Sequence, residues 1–217
     1  MNTHERLISL VEFFVGAAIV IGHNVFHKVP NEVPTLFVLG WISIHFRNGG
    51  WKAVGLRKPD SWWKTVAWAL AAAALIVVLS DLVVGPMAEK HFGAQHAPKG
   101  LDSDVHNIGW VLKILAIFWG FAAFGEEMGY RGYLLNRAAE VGNRSTAAYI
   151  AGLLVVSVLF GYGHYYKGPA GIIASTVSGL LLGGVYLLSG RNLWTAILTH
   201  GFRDSFVLAA ALMGWTD

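Results

Sequence analysis

Seven apolar segments, at about residues 7–27, 34–46, 63–84, 108–137, 146–164, 169–189 and 192–214, are joined by connections too short to hold a second domain. Most of them approach the ~20 residues that cross the hydrocarbon core of a bilayer at ~1.5 Å per residue. Hydrocarbon offers backbone N–H and C=O groups no partner, so segments of this kind must satisfy them internally, as helices. The sequence therefore predicts an all-α, polytopic membrane bundle of about seven (six to eight) transmembrane helices, with residues 1–217 as a single transmembrane domain. Composition agrees, because charged residues make up 13% of the chain, about half the share in soluble domains, and mean hydropathy is +0.52. The second segment is short for a free span and is expected to be broken or partly interfacial. The fourth is longer than a bilayer requires and is expected to tilt.

The absence of cysteine excludes a disulfide framework, a thiolate zinc site and a cysteine nucleophile. A net charge of +3 does not point to nucleic acid, since the basic residues are spread over loops beside apolar segments. Membrane topology accounts for them better. With the N-terminus cytoplasmic, Arg6, Arg47, Lys52, Arg57, Lys58, Lys64, Arg131, Arg137, Arg144 and Arg191 fall on or towards that side, ten residues against the five of Lys28, Lys90, Lys99, Lys113 and Lys167. Arg6 before an apolar run resembles a signal peptide, but no small-residue cleavage site follows, so this segment is read as the first helix.

Charge inside such segments is costly, and its presence marks function. Glu126, Glu127 and Arg131 follow the uncharged stretch Ile114–Phe124; His164 ends the apolar run Ala147–Gly163; His200 and Asp204 lie inside the run from Leu193 to Trp215. Glu127 and Arg131 are four apart and share a helix face, which suits a structural ion pair. That pairing leaves Glu126 about 100° round the helix without a partner. A buried carboxylate of this kind can accept and return a proton. His200 and Asp204 also share a face, where a hydrogen-bonded structural pair competes with a catalytic one, and His164 alone fits a core histidine as well as a site residue.

Elsewhere, Gly171, Ser175, Gly179 and Gly183 put four small residues on one face, which predicts close helix packing. The polar connection from Pro86 to Asn107 holds His91, His96 and His106, but His91 and His96 do not share a helical face, so it reads as a solvated loop. Trp51, Trp62, Trp63, Trp110, Trp194 and Trp215 fall near segment ends and are expected to anchor at the interface.

Taken in order, Glu126-Glu127-x-x-x-Arg131, Phe160-x-x-x-His164 and His200-x-x-x-Asp204, each on its own apolar segment, resemble the CAAX-protease and bacteriocin-processing (Abi) family of intramembrane endopeptidases, whose eukaryotic members are the type II CAAX prenyl endopeptidases. The resemblance covers about residues 110–210 and implies a catalytic core at about 108–214. It implies a glutamic intramembrane protease that hydrolyses a peptide bond of a membrane-associated protein or peptide. Glu126 and His164 would activate water, His200 and Asp204 would stabilise the oxyanion, and Glu127 and Arg131 would support Glu126 from behind. The implied setting is a multi-pass protein of a bacterial or archaeal inner membrane, with the lipid bilayer and a membrane-associated substrate as partners and no nucleic acid.

The family carries Asn or Asp at position 204, and the two differ, since an Asn N–H₂ donates to an oxyanion and an ionised carboxylate does not. Asp204 could be protonated and donate, could orient His200, or could ligate a metal together with His164 and His200. The reading that follows from the resemblance has no cofactor, and its alternative is zinc. A membrane immunity or transport protein using the same polar cluster for binding is the competing class, although no inverted repeat is visible.

Overall fold

The computed structural model describes residues 1–96 and 107–214, and there the chain is helical apart from short connections. Lys99, His106 and Trp215 lie outside the described residues. Each apolar segment forms a helix: α1 (Thr3–Asn24), α2 (Glu32–Asn48), α3 (Trp62–Phe92), α4 (Ile108–Val141), α5 (Thr146–Tyr162), α6 (Gly168–Leu188) and α7 (Leu193–Leu212). The starts are set by short polar side chains that satisfy first-turn N–H groups. Asn2 and Glu5 cap one another reciprocally at α1, and Asn31, Asn107, Ser145 and Asn192 accept from the first turns of α2, α4, α5 and α7. The left-handed Gly49 (φ 75°) closes α2.

Among the described residues, four helices are long and apolar enough to cross a membrane: α1, α3, α4 and the rod Tyr165–Leu188 that α6 completes. The seven expected segments are all helical, but α2 and α5 have 17 residues each, and α7 spends its apolar character on His200, Arg203 and Asp204. The Pro86–Asn107 expectation is corrected, because α3 continues to Phe92 and carries His91 with it. Beyond it, His96 lies against the turn Tyr165–Lys167, its N–H bonded to the Lys167 carbonyl at 3.1 Å. Trp51 and Trp194 also differ from simple anchors. Trp51 stacks on Phe37 at 5.9 Å, and Trp194 packs on Trp62 and Phe124.

Glycine fixes how closely the helices meet. A Cβ on Gly125 would lie 2.7 Å from Val33, one on Gly129 3.1 Å from Leu36, and one on Gly132 2.9 Å from Trp51, so α2 rides directly on the α4 backbone. Gly179 faces Phe160 and Gly183 faces Leu153, which places α6 against α5 as the small-residue face predicts. Both long helices contain wide turns with i→i+5 bonding, at Val77–Val84 in α3 and at Phe118–Glu126 and Met128–Leu134 in α4. Such turns are concentrated at functional positions.

The basic residues expected on one side of the membrane gather at one end of the bundle. Arg137, fully buried, bonds Glu12 and Glu140 at 2.6 Å each, Arg47 pairs with Glu12, Arg144 reaches Glu140 at 2.6 Å, and Arg6 donates to the Val141 carbonyl at 2.7 Å. Beside this cluster, Asn136 bonds Tyr186 and Tyr149, and Arg191 donates to Tyr149 at 2.7 Å. This polar layer is a depth marker for the site.

Candidate active site

Counting from the layer of Asn136 and Tyr149 at ~1.5 Å per residue, Glu127 on α4 and Phe160 on α5 stand about 13–17 Å deeper into the bundle, close to half the thickness of a hydrocarbon core. Glu127 and Arg131 are 0% and 1% exposed and form the predicted ion pair, with Arg131 Nη1 2.8 Å from Glu127 Oε1. Arg131 donates a second bond to the Gly179 carbonyl at 2.7 Å, available because Gly179 lets α6 come close, and its guanidinium lies 4.7 Å from the centre of the Phe160 ring. The same Glu127 oxygen faces His200 Nδ1 at 2.9 Å. Only an N–H pairs with a carboxylate oxygen, so Nδ1 of His200 carries a proton and the ring is held in one orientation.

His200 Nε2 points the other way, 3.6 Å from Asp204 Oδ2. A ring with protons on both nitrogens therefore meets a carboxylate at each. Asp204 in turn accepts from Arg203 at 2.9 Å, and Arg203 bonds Asp81 in the wide turn of α3 at 2.6 and 3.2 Å. A continuous polar chain thus runs from Asp81 through Arg203, Asp204, His200, Glu127 and Arg131 to the α6 backbone. It ties four helices together across the bundle.

His164 stands just past the end of α5, where the chain turns through Gly163, and its Nδ1 lies 3.0 Å from the Phe160 carbonyl. Since that contact requires Nδ1–H, a neutral His164 has its free lone pair on Nε2. The Phe160 ring centre is 4.8 Å from that of His164 and 6.0 Å from that of His200, so both histidines pack on one aromatic side chain. A Cβ on Gly163 would lie 2.6 Å from the hydroxyl of Tyr130, so the glycine lets this turn settle onto α4.

Glu126 differs in having neither oxygen hydrogen-bonded among the described residues, whereas Glu127 is held by its Oε1 and leaves only Oε2 without a partner. Glu126 Oε2 is buried, and the charges acting on it are those of His200, Asp204, Glu127 and Glu32. Among the described residues no three His, Asp or Glu side chains are arranged to hold a metal ion.

The structure brings His200 onto Asp204 and Glu127, packs His164 and His200 on the same Phe160 ring, and leaves Glu126 without a hydrogen-bond partner among the described residues. Arg203, Asp81 and Glu32 were missed by the sequence reading. Asp81 and Arg203 were detectable, each being a charge inside an apolar segment.

No curated protein and no solved structure matches the chain. Residues 108–206, which include Glu126, Glu127, Arg131, Phe160, His164, His200 and Asp204, match the family described as type II CAAX prenyl endopeptidase Rce1-like. The helices that build the site thus match the Rce1-like family of type II CAAX prenyl endopeptidases, a likeness that implies a membrane protease, a hydrolase.

Proposed function

We propose that the protein is a glutamate-dependent intramembrane endopeptidase that cuts a membrane-associated peptide or protein, working in a bacterial or archaeal inner membrane. The observation that carries this reading is the contrast between the two adjacent glutamates. Glu127 is fixed through its Oε1 by Arg131 and His200, with only Oε2 unbonded, whereas Glu126 makes no hydrogen bond among the described residues and keeps a buried oxygen within the field of His200 and Asp204. A carboxylate that is not already accepting a hydrogen bond is free to take a proton from water.

In this reading Glu126, with the free nitrogen of His164, removes a proton from a water molecule. The resulting hydroxide attacks the scissile carbonyl, and Glu126 returns the proton to the leaving amine. His200 Nε2–H donates to the oxyanion, a preformed donor in a water-poor site being worth on the order of 3–4 kcal/mol. Asp204 accepts from Arg203 with one oxygen and faces His200 with the other. We therefore assign it the orientation of His200 in place of direct donation. The chemistry needs no group beyond these side chains and water.

The test is cleavage of a membrane-embedded peptide by purified protein in the absence of any ion gradient. Glu126→Gln keeps the shape and removes the base, so cleavage is lost while folded yield is kept. Near wild-type cleavage by this variant would move the base elsewhere, and no cleavage by the wild type would leave binding or transport as the use of the cluster.

A further inference from the structure

At the end of the bundle that holds the layer of Asn136, Tyr149 and Arg191, the connection between α2 and α3 is stitched to the turn between α6 and α7. Leu193 N–H donates to the Gly55 carbonyl at 2.9 Å, Arg57 Nη2 to the Gly190 carbonyl at 2.8 Å, and Asn192 Nδ2 to the Arg57 carbonyl at 3.2 Å. Gly55 makes the joint possible. Its φ is 108°, and a Cβ there would lie 2.0 Å from the Arg191 carbonyl oxygen. Between these fixed connections and the first turns of α3 and α7 lies a cavity of about 530 Å³, which shares no residue with the active site.

Arg57, Lys58 and Lys64 line this cavity against the single carboxylate of Asp60, and none of the four forms an ion pair among the described residues. Arg57 spends one N–H on Gly190 and keeps the others for a ligand. Thr195 is 3% exposed and its carbonyl accepts from Thr199, but its hydroxyl bonds nothing among the described residues, which leaves a buried polar group on the wall without a partner. Ser61 precedes α3 without capping it, so the first-turn N–H groups add positive potential on the same side. A guanidinium fork, two ammonium groups and a hydroxyl fit an oxyanion with several acceptor oxygens, a phosphate, better than the two coplanar oxygens of a carboxylate.

The surroundings decide where that phosphate comes from. Trp62, Trp63 and Trp68 are exposed at the start of α3, Trp68 on the cavity wall itself, and exposed tryptophans at helix ends lie at headgroup level. Trp68 and Leu75, two turns apart and both exposed, continue an apolar face below the cavity. The basic residues suit the cytoplasmic leaflet, where pockets of this kind between helices take anionic headgroups. We propose that this cavity is a phosphate site, filled in the membrane by the headgroup of an anionic lipid. Lys58 and Lys64 hold the phosphate from the exposed side, Arg57 and Thr195 hold it from the wall, and the acyl chains lie along α3 past Trp68.

The experiment follows the fluorescence anisotropy of tail-labelled phosphatidic acid titrated with the full chain in dodecyl maltoside, against phosphatidylcholine with the same tails. Two lysines beside a phosphate correspond to about tenfold in affinity, so phosphatidic acid should bind about tenfold more tightly than phosphatidylcholine, and Lys58→Gln/Lys64→Gln should lose about that much. Lys28→Gln/Lys90→Gln removes the same charge from other exposed positions and should stay within about twofold of the wild type. Monodisperse elution of each variant checks the fold. Inorganic phosphate should displace far less labelled lipid than unlabelled phosphatidic acid does at the same concentration, because it lacks the chains. Equal affinity for the two lipids, or no greater loss in Lys58→Gln/Lys64→Gln than in Lys28→Gln/Lys90→Gln, would overturn the site. Inorganic phosphate displacing as well as phosphatidic acid would overturn the lipid as its occupant.

Discussion

Replacing Arg131 with methionine removes the guanidinium but keeps much of the apolar stem. Left behind are a Glu127 carboxylate that is 0% exposed, with only His200 as a partner, and a Gly179 carbonyl that has lost its side-chain donor. Breaking one side of a buried pair costs about 3–5 kcal/mol, because the remaining charge stays desolvated. For a chain of this size that corresponds to a fall in Tm of roughly 10 °C. The double variant Glu127→Gln/Arg131→Met removes both charges and should regain at least half of the loss. Thermal unfolding in dodecyl maltoside, followed by the fluorescence of the nine tryptophans, measures both. The double variant should nevertheless be inactive or nearly so, since the ring of His200 loses the carboxylate that orients it. A shift of less than about 2 °C in the single variant, or a double variant no more stable than the single, would refute the reasoning that the pair is a desolvated strut.

Asp204→Asn should lower cleavage on the order of tenfold by loosening His200, with no response to a strong chelator in either protein; loss of activity in the variant together with chelator sensitivity in the wild type would replace the glutamate mechanism with a metal-dependent one. Arg203→Gln cuts the link between α3 and α7, and because that pair is partly exposed the stability cost should be near 1 kcal/mol, while kcat falls more than KM rises. Gly161→Ala puts a methyl 2.7 Å from the Ile172 carbonyl oxygen and against Thr176. Thermal unfolding should show about 1–3 kcal/mol of destabilisation, as in overpacked cores, and unchanged stability would mean that α5 and α6 are less tightly joined than described.

The helices were legible because a bilayer leaves few choices: apolar length and polar breaks placed all seven segments, and the four-residue spacings of Glu127 with Arg131 and His200 with Asp204 are both realised as contacts. What spacing cannot supply is the partner on another helix. His200 bonds Glu127, 73 positions away, and Arg203 bonds Asp81 across 122. The end of α3 was misplaced because Pro86 stops a helix only in its interior turns, whereas here it follows a wide turn whose bonding pattern already differs from i→i+4. Glu32 was hidden for a different reason. It stands at a segment boundary, where an acidic residue looks like ordinary first-turn capping chemistry, yet it is buried.

The local pairing of charge also bears on how such a chain enters a membrane during synthesis. Glu127 emerges with Arg131, Arg137 with Glu140, and Arg203 with Asp204, each pair within about one turn of the same nascent helix. Glu12 and Arg47 meet as soon as the α1–α2 hairpin closes. Each can therefore pass into lipid as a nearly neutral unit, at a fraction of what a lone ion costs. Glu126 has no such companion, so the helix that carries it enters hydrocarbon with one unbalanced acid and depends on later helices, α5 and α7, to enclose it. The residue on which the proposed chemistry depends is thus also the one that makes insertion of α4 least favourable until the bundle closes around it.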